Sequence, residues 1–198
     1  WFAGIHGATI VSGMLQMFWL TNLGMNQSAL AAGTPLPHIF MEVFWTFFIV
    51  IGGSGATMGL VMCYLRSRSA HLRSIGRLSV VPSVFNINEP VIFGTPIVMN
   101  PVFFIPFLLA PMVNAVIAWA AMKMDLIGRV ISVVPWTAPA PIGAAWGLGW
   151  DFRAAILVVI LAVISGIIYY PFFKVYEKQL LDQEAEEAAR AEQESQVA

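Results

Sequence analysis

The sequence predicts an all-α integral membrane protein, and three observations carry that prediction. Hydrophobic residues make up 59% of the chain and charged residues 11%, against roughly 25% charged in a typical soluble domain; the mean hydropathy is +0.78. The charges are also segregated, with no Asp, Glu, Lys or Arg in residues 1–41, 43–65 or 154–173. The last run is 20 residues long, about what a helix needs to cross a hydrocarbon core. Finally, the 45 residues from Leu78 to Met122 hold a single charge, Glu89. An ionisable group at membrane depth is costly to keep, so it marks a candidate functional site.

The elements follow in order. Trp1–Thr21 is apolar, with Gly4, Gly7, Gly13 and a lone His6. It has no initiator methionine, basic leader or cleavage pattern, so it reads as part of a longer chain and not as a signal peptide. A more polar patch, Asn22–His38, ends in a Thr-Pro-Leu-Pro-His turn. Ile39–Leu65 reads as a helix interrupted late by Gly52–Gly55. That glycine run lacks the lysine and the strand context of a phosphate loop, which leaves close packing or a hinge.

Arg66, Arg68, Arg73 and Arg77, with His71, form a basic loop, and four arginines in so short a span place it on the cytoplasmic side. Lys174 and Lys178 put the end of the last span on that side too. An even number of complete passes must therefore separate the two. Of the four apolar pieces between them, 78–100 and 130–150 are broken by proline and glycine, which interrupt helices. The simplest solution makes 101–122 and 154–173 full spans and the broken pieces re-entrant hairpins. Four full spans would satisfy parity as well. Irregular backbone survives at membrane depth only where protein or an aqueous cavity surrounds it, and such segments are where polar substrates bind. A polar tail, 177–198, is expected as a helix or a disordered end.

Candidate chemistry centres on Phe85–Asn100, FNINEPVIFGTPIVMN. Asn86, Asn88 and Glu89 offer the mixture of donors and acceptors that matches sugar hydroxyls. Alternatively, Glu89 caps a broken helix or pairs with an arginine of the basic loop. His6 alone is as consistent with a core histidine as with a ligand. Trp1, Trp136, Trp146 and Trp150 could stack on sugar rings, although tryptophan also gathers at membrane interfaces, the reading preferred for Trp150, Trp19 and Trp45. Glu42 and His38 are explained by surface solvation. The arginines follow the charge rule for cytoplasmic loops, with docking of an acidic partner as a second use. Cys63 lies in an apolar stretch without the basic surroundings that activate a thiol, so it reads as packing. The net charge of −1 gives no reason to expect nucleic acid.

The run Phe85-Asn-Ile-Asn-Glu-Pro-Val-Ile-Phe-Gly94, continuing to Pro96 and Asn100-Pro101, resembles the signature of the membrane-embedded IIC components of the bacterial phosphoenolpyruvate-dependent sugar phosphotransferase system. The lactose, cellobiose and chitobiose permeases are the nearest subgroup. Trp1–Gly7 resembles that subgroup's upstream histidine motif, and the interval from His6 to Glu89 fits it.

The resemblance covers Trp1 to about Tyr176. It implies a C-terminal substrate-binding transport domain at 1–176, with re-entrant hairpins, whose N-terminal dimerising scaffold is absent here. His6 and Glu89 would contact the sugar hydroxyl that becomes phosphorylated, as catalytic and binding residues. Asn88 and Asn86 would lie nearby, and Trp1 and Trp136 would be ring-stacking groups. Implied partners are a disaccharide, a phosphocysteine-bearing IIB protein and, behind it, IIA and the general phosphotransferase proteins. Membrane lipid and a second copy, through the missing half, complete the set. Neither cofactor nor metal is implied, and Cys63 is not the phosphorylated cysteine. The implied location is the bacterial cell membrane, multi-pass, with the C-terminus cytoplasmic. The rival readings are a proton-coupled sugar symporter, in which Glu89 carries the coupling proton, and an inactive assembly fragment.

Overall fold

The computed structural model describes residues 1, 4–97 and 100–197, with side chains described as far as residue 186. Phe2, Ala3, Val98 and Met99 of the two motifs, and Ala198, lie outside the described residues. Regular structure among the described residues is helical: α1 (Gly7–Ala31), α2 (Glu42–Phe44) running into a π turn (Trp45–Ile49), α3 (Met58–Leu65), α4 (Ala70–Val84), α5 (Glu89–Gly94), α6 (Pro101–Lys123), α7 (Ala140–Gly147) and α8 (Phe152–Val197). Of these, α6 and α8 are long and apolar enough to cross a membrane.

Helix α8 serves as a ruler for the rest. At its start, Asp151 accepts a 2.9 Å hydrogen bond from the Gly128 N–H. Midway, Ser165 accepts one of 3.0 Å from Asn114 of α6. Farther on, Tyr176 meets Phe103 of α6 with ring centroids 5.1 Å apart. Helix α6 therefore runs antiparallel to α8 over its whole length. The α2–π–α3 stretch runs parallel to α8, because Cys63 lies against Gly166 and Ser67 reaches Glu177.

Measured on this ruler, each broken segment leaves one end of α8 and returns to that same end. The first leaves the Glu177 end as α4, whose cap Ser69 donates to Glu184 at 2.6 Å. It reaches the level of Gly52 at Asn86 and returns as α5, where Gly94 packs on Ile75. The second leaves the Asp151 end after Gly128, turns at Pro135–Ala138 and returns as α7, where the Gly147 carbonyl accepts from the Ile131 N–H at 2.9 Å. The helix breakers thus fall in two hairpins packed beside the two long helices.

Packing is close where glycine allows it. A Cβ on Gly59 of α3 would lie 2.2 Å from the Gly166 nitrogen of α8, so the two backbones touch. Apolar helices immersed in lipid gain little by hiding apolar surface from water, and close approach through small residues is how they associate. Two clusters result. One gathers Phe44, Phe47 and Phe48 against Met122 and Leu161; the other gathers Tyr64, Phe103, Tyr169 and Phe173.

Several expectations need correcting. Helix α1 runs on through Asn22–Ala31, because Asn26 donates to the His38 and Val130 carbonyls and Gln27 to that of Ile131. The polar patch is thus the helical surface that ties α1 to two chain segments. The break in Ile39–Leu65, by contrast, falls where expected, at Gly52–Gly55: positive φ values at Gly52, Gly53, Gly55 and Ala56 separate the π turn from α3. Most of the basic loop is the start of α4. Trp19 is buried against Phe40 and Trp45, a packing position and not an interfacial one. The polar end continues α8 as helix to Val197, the first of the two forms expected for it.

Candidate functional site

The motif around Glu89 is built from the end of α4 onward. The Asn86 N–H bonds the Ser83 carbonyl and the Ile87 N–H bonds that of Pro82, with Asn86 at φ +62°. These are the two bonds of a Schellman helix ending, whose left-handed residue is usually glycine and sometimes asparagine. Asparagine brings a side chain that glycine lacks. Its amide donates to the Trp136 and Ala138 carbonyls at 2.9 and 3.2 Å and accepts from the Gly52 N–H at 3.2 Å. The tips of both hairpins and the break before α3 meet at this one side chain.

Asn88 fastens the same junction from the other side. Its amide donates to the Ser54 carbonyl at 2.7 Å and to the Thr57 hydroxyl at 3.1 Å. Gly53 must be glycine for the fit: its φ is +101°, and a Cβ there would lie 2.4 Å from the Asn88 Cγ. Both asparagines are buried, and the hydrogen bonds of their amide groups run to the surrounding protein. They sit beside the site as its fastening.

Glu89 follows as the first residue of α5, with Pro90 next to it, where the positive end of the helix dipole favours a carboxylate. Its Oε1 lies 3.9 Å from Nε2 of His6, and the two side chains are 46% and 42% exposed. His6 itself caps α1, its Nδ1 accepting from the Thr9 N–H at 3.2 Å. The Trp1 ring packs on the imidazole at 4.3 Å between centroids and edge-on to Phe93 at 5.9 Å. Residues more than eighty positions apart are thus brought together at the tip of the first hairpin, both of them partly exposed. Neither of the other readings of Glu89 describes this fully: it opens a broken helix but pairs with no arginine among the described residues.

Trp136 is joined to the site through its backbone carbonyl, and its ring is half exposed. Trp146 and Trp150 stack on each other at the Asp151 end, ring planes 5° apart, away from His6. Beside Trp1, a cavity of about 470 Å³ opens between the start of α1, the Ser54–Gly55 turn and Phe107 of α6. A larger groove of about 960 Å³ runs along α8 between α3 and α7, walled by Met58, Cys63, Val159 and Tyr170. Its lining is mainly apolar, with Arg66, Tyr170 and Lys174 among it, and includes neither His6 nor Glu89, so volume alone does not locate a polar-ligand site. Sequence reasoning missed Thr57, which helps hold the hairpin tip, and Thr9, which holds His6; it read Gly52–Gly55 as close packing or a hinge, without the bonds to Asn86 and Asn88. Thr9 left no readable signal, because the cap of α1 is closed by the backbone N–H at that position, which any residue but proline supplies.

Far from this site lies the other acid of interest. Glu177 is 3% exposed and accepts from the Ser67 hydroxyl at 2.6 Å, the Arg68 N–H at 2.7 Å and Lys174 at 2.7 Å. Burial by itself would raise its pKa, but these donors outweigh burial and hold the carboxyl below its ordinary range.

Comparison with known proteins identifies the family. Residues 1–111 match the family model described as phosphotransferase system, EIIC. The chain is 40% identical to the lichenan permease IIC component of Bacillus subtilis (strain 168) over 93% of its own length and 41% of that protein's. It is 39% identical to the lactose-specific EIICB component of Streptococcus mutans over 94% of its length and 33% of the relative's. The crystal structure of ChbC, the IIC component of an N,N'-diacetylchitobiose-specific phosphotransferase system, superposes with a TM-score of 0.89 at 41% identity, covering 93% of this chain and 43% of ChbC. The chain spans about two fifths or less of the length of these proteins. Its sequence, its helical architecture and its signature loop together make it a member of the EIIC family of the phosphotransferase system.

Proposed function

We propose that this chain is the sugar-binding transport part of an EIIC permease, taking up a β-linked disaccharide and presenting it for phosphorylation. The observation that carries the reading is the open pair of His6 and Glu89 at the tip of a re-entrant hairpin. A gap of 3.9 Å between acceptor and ring nitrogen leaves both free to bond a third group, and a sugar hydroxyl both donates and accepts. Relatives named for lichenan, lactose and N,N'-diacetylchitobiose favour a β-linked disaccharide.

In this mechanism the hydroxyl oxygen attacks the phosphorus of a phosphocysteine on the IIB partner. The new O–P bond forms as the S–P bond breaks, the thiolate leaves on IIB, and the hydroxyl proton passes to Glu89. His6 holds the same oxygen from its other side. Transfer of this kind depends on positioning and charge stabilisation, and general-base help is typically worth about 10²–10⁴-fold. Trp1 and Trp136 supply apolar faces for the sugar rings, while Asn86 and Asn88 hold Glu89 in place. The arginine-rich end of the domain, beside Lys174 and Lys178, faces the cytoplasm, and there IIB docks. Dimerisation belongs to the scaffold half of the full-length permease.

The test is uptake of labelled cellobiose and related disaccharides by membrane vesicles. The vesicles carry the full-length permease and are supplied with IIA, IIB and the general phosphotransferase proteins. Sugar phosphate inside the vesicles, dependent on phosphoenolpyruvate, is the expected result. Unmodified sugar accumulating on a proton gradient would overturn it in favour of symport.

A further inference from the structure

We propose that Thr9 fixes the tautomer of His6, so that Nε2 carries the proton and donates toward Glu89 and any oxygen held between them. The inference rests on the reading of His6 and Glu89 as the ligand-binding pair. Nδ1 of His6 lies 3.2 Å from the Thr9 backbone nitrogen and 2.8 Å from the Thr9 hydroxyl oxygen. A peptide N–H has no lone pair to offer, so the ring nitrogen it meets must be the bare one. In a neutral imidazole that leaves the hydrogen on Nε2. The hydroxyl of Thr9 reinforces the choice by donating to the same lone pair.

The consequence falls at the 3.9 Å gap between Nε2 and Glu89 Oε1. With the proton on Nε2, a hydroxyl oxygen lodged there receives a hydrogen bond from His6 and gives its own proton to Glu89. The donors then run in one direction, from Thr9 to His6 to the ligand to the carboxylate. The opposite tautomer would aim a lone pair at an acid and leave the ligand oxygen without a donor. Thr9 is therefore a positioning residue acting through His6. It lies one helical turn from the residue it serves, on the rigid start of α1.

Nitrogen-15 NMR with labelled histidine reads the tautomer, with His6 assigned by the signal lost in His6→Gln. The full-length permease in lipid nanodiscs would be compared, at a pH where imidazole is neutral, with two variants. Thr9→Pro removes both donors to Nδ1 at a first-turn position that tolerates proline; Thr9→Val removes the hydroxyl and keeps the backbone N–H. The expected wild-type signature is bare Nδ1 and protonated Nε2. Thr9→Pro should mix in the other tautomer and weaken disaccharide binding about fivefold, the effect of one net hydrogen bond, whereas Thr9→Val should keep the wild-type tautomer. A protonated Nδ1 in the wild type, or a Thr9→Pro protein with unchanged tautomer, would overturn the assignment. If the tautomer responds as expected while neither Thr9→Pro nor His6→Gln alters sugar binding, Thr9 keeps its effect on His6 and the ligand reading of the pair falls instead.

Discussion

Glu89 and Glu177 are both carboxylates, and their neighbourhoods could hardly differ more. Glu177 is buried and accepts from a hydroxyl, a backbone N–H and a lysine. Glu89 is nearly half exposed, and among the described residues its ionic approach to His6, at 3.9 Å, is longer than a hydrogen bond. The first is a structural clasp that ties the loop before α4 to α8. The second has acceptor capacity that the protein leaves open. Buried polar groups are normally satisfied, so the acid that marks a site is the unsatisfied and reachable one. The same contrast divides the signature loop, where Asn86 and Asn88 are bonded to surrounding protein while the Glu89 carboxylate has no hydrogen bond among the described residues.

Substitutions should separate these roles. The largest loss of stability is expected for Asn86→Leu, which strands the Gly52 N–H and the carbonyls of Trp136 and Ala138. At about 1–3 kcal/mol for each buried group left unpaired, the junction of the two hairpins should loosen by more than about 3 kcal/mol. Thermal unfolding in detergent would read this directly, and an unchanged midpoint would show that Asn86 is not the fastening. Asn88→Ala removes the bonds to Ser54 and Thr57 and should cost about 1–3 kcal/mol, with sugar binding lost through displacement of Glu89.

Acid should act on Glu177 with the smallest effect. Its folded pKa lies below the ordinary 4.5, so its contribution is complete above about that pH and disappears as pH falls through the lowered value. Hydrogen exchange at the Arg68 amide should rise over that acid range and stay flat in Glu177→Gln, where the titrating group is gone. A rise with the same midpoint in Glu177→Gln would assign the transition to another group.

Much of this architecture is legible in the sequence, for physical reasons. Charge-free runs long enough to span hydrocarbon fall on α6 and α8, and clustered prolines and glycines mark the two hairpins. Glu89 declares itself by isolation. What the sequence does not reveal is partnership over distance. Nothing local says that the Asn86 amide reaches a carbonyl fifty residues away, or that Asn22, Asn26 and Gln27 make a polar stretch helical by bonding distant backbone. The motif therefore looks like one polar cluster of equal members, and only the fold divides it into a fastening and an open acid.

The most direct measurement takes Glu89→Gln in the full-length permease and records unfolding and phosphoenolpyruvate-dependent sugar phosphorylation on the same preparation. Glutamine keeps the size of the side chain but cannot accept the proton. The account expects stability unchanged within about 0.5 kcal/mol, as for an exposed substitution, and phosphorylation reduced by at least about 10²-fold. Unfolding at a lower temperature with phosphorylation intact would contradict it, making Glu89 part of the fastening and moving the chemistry elsewhere.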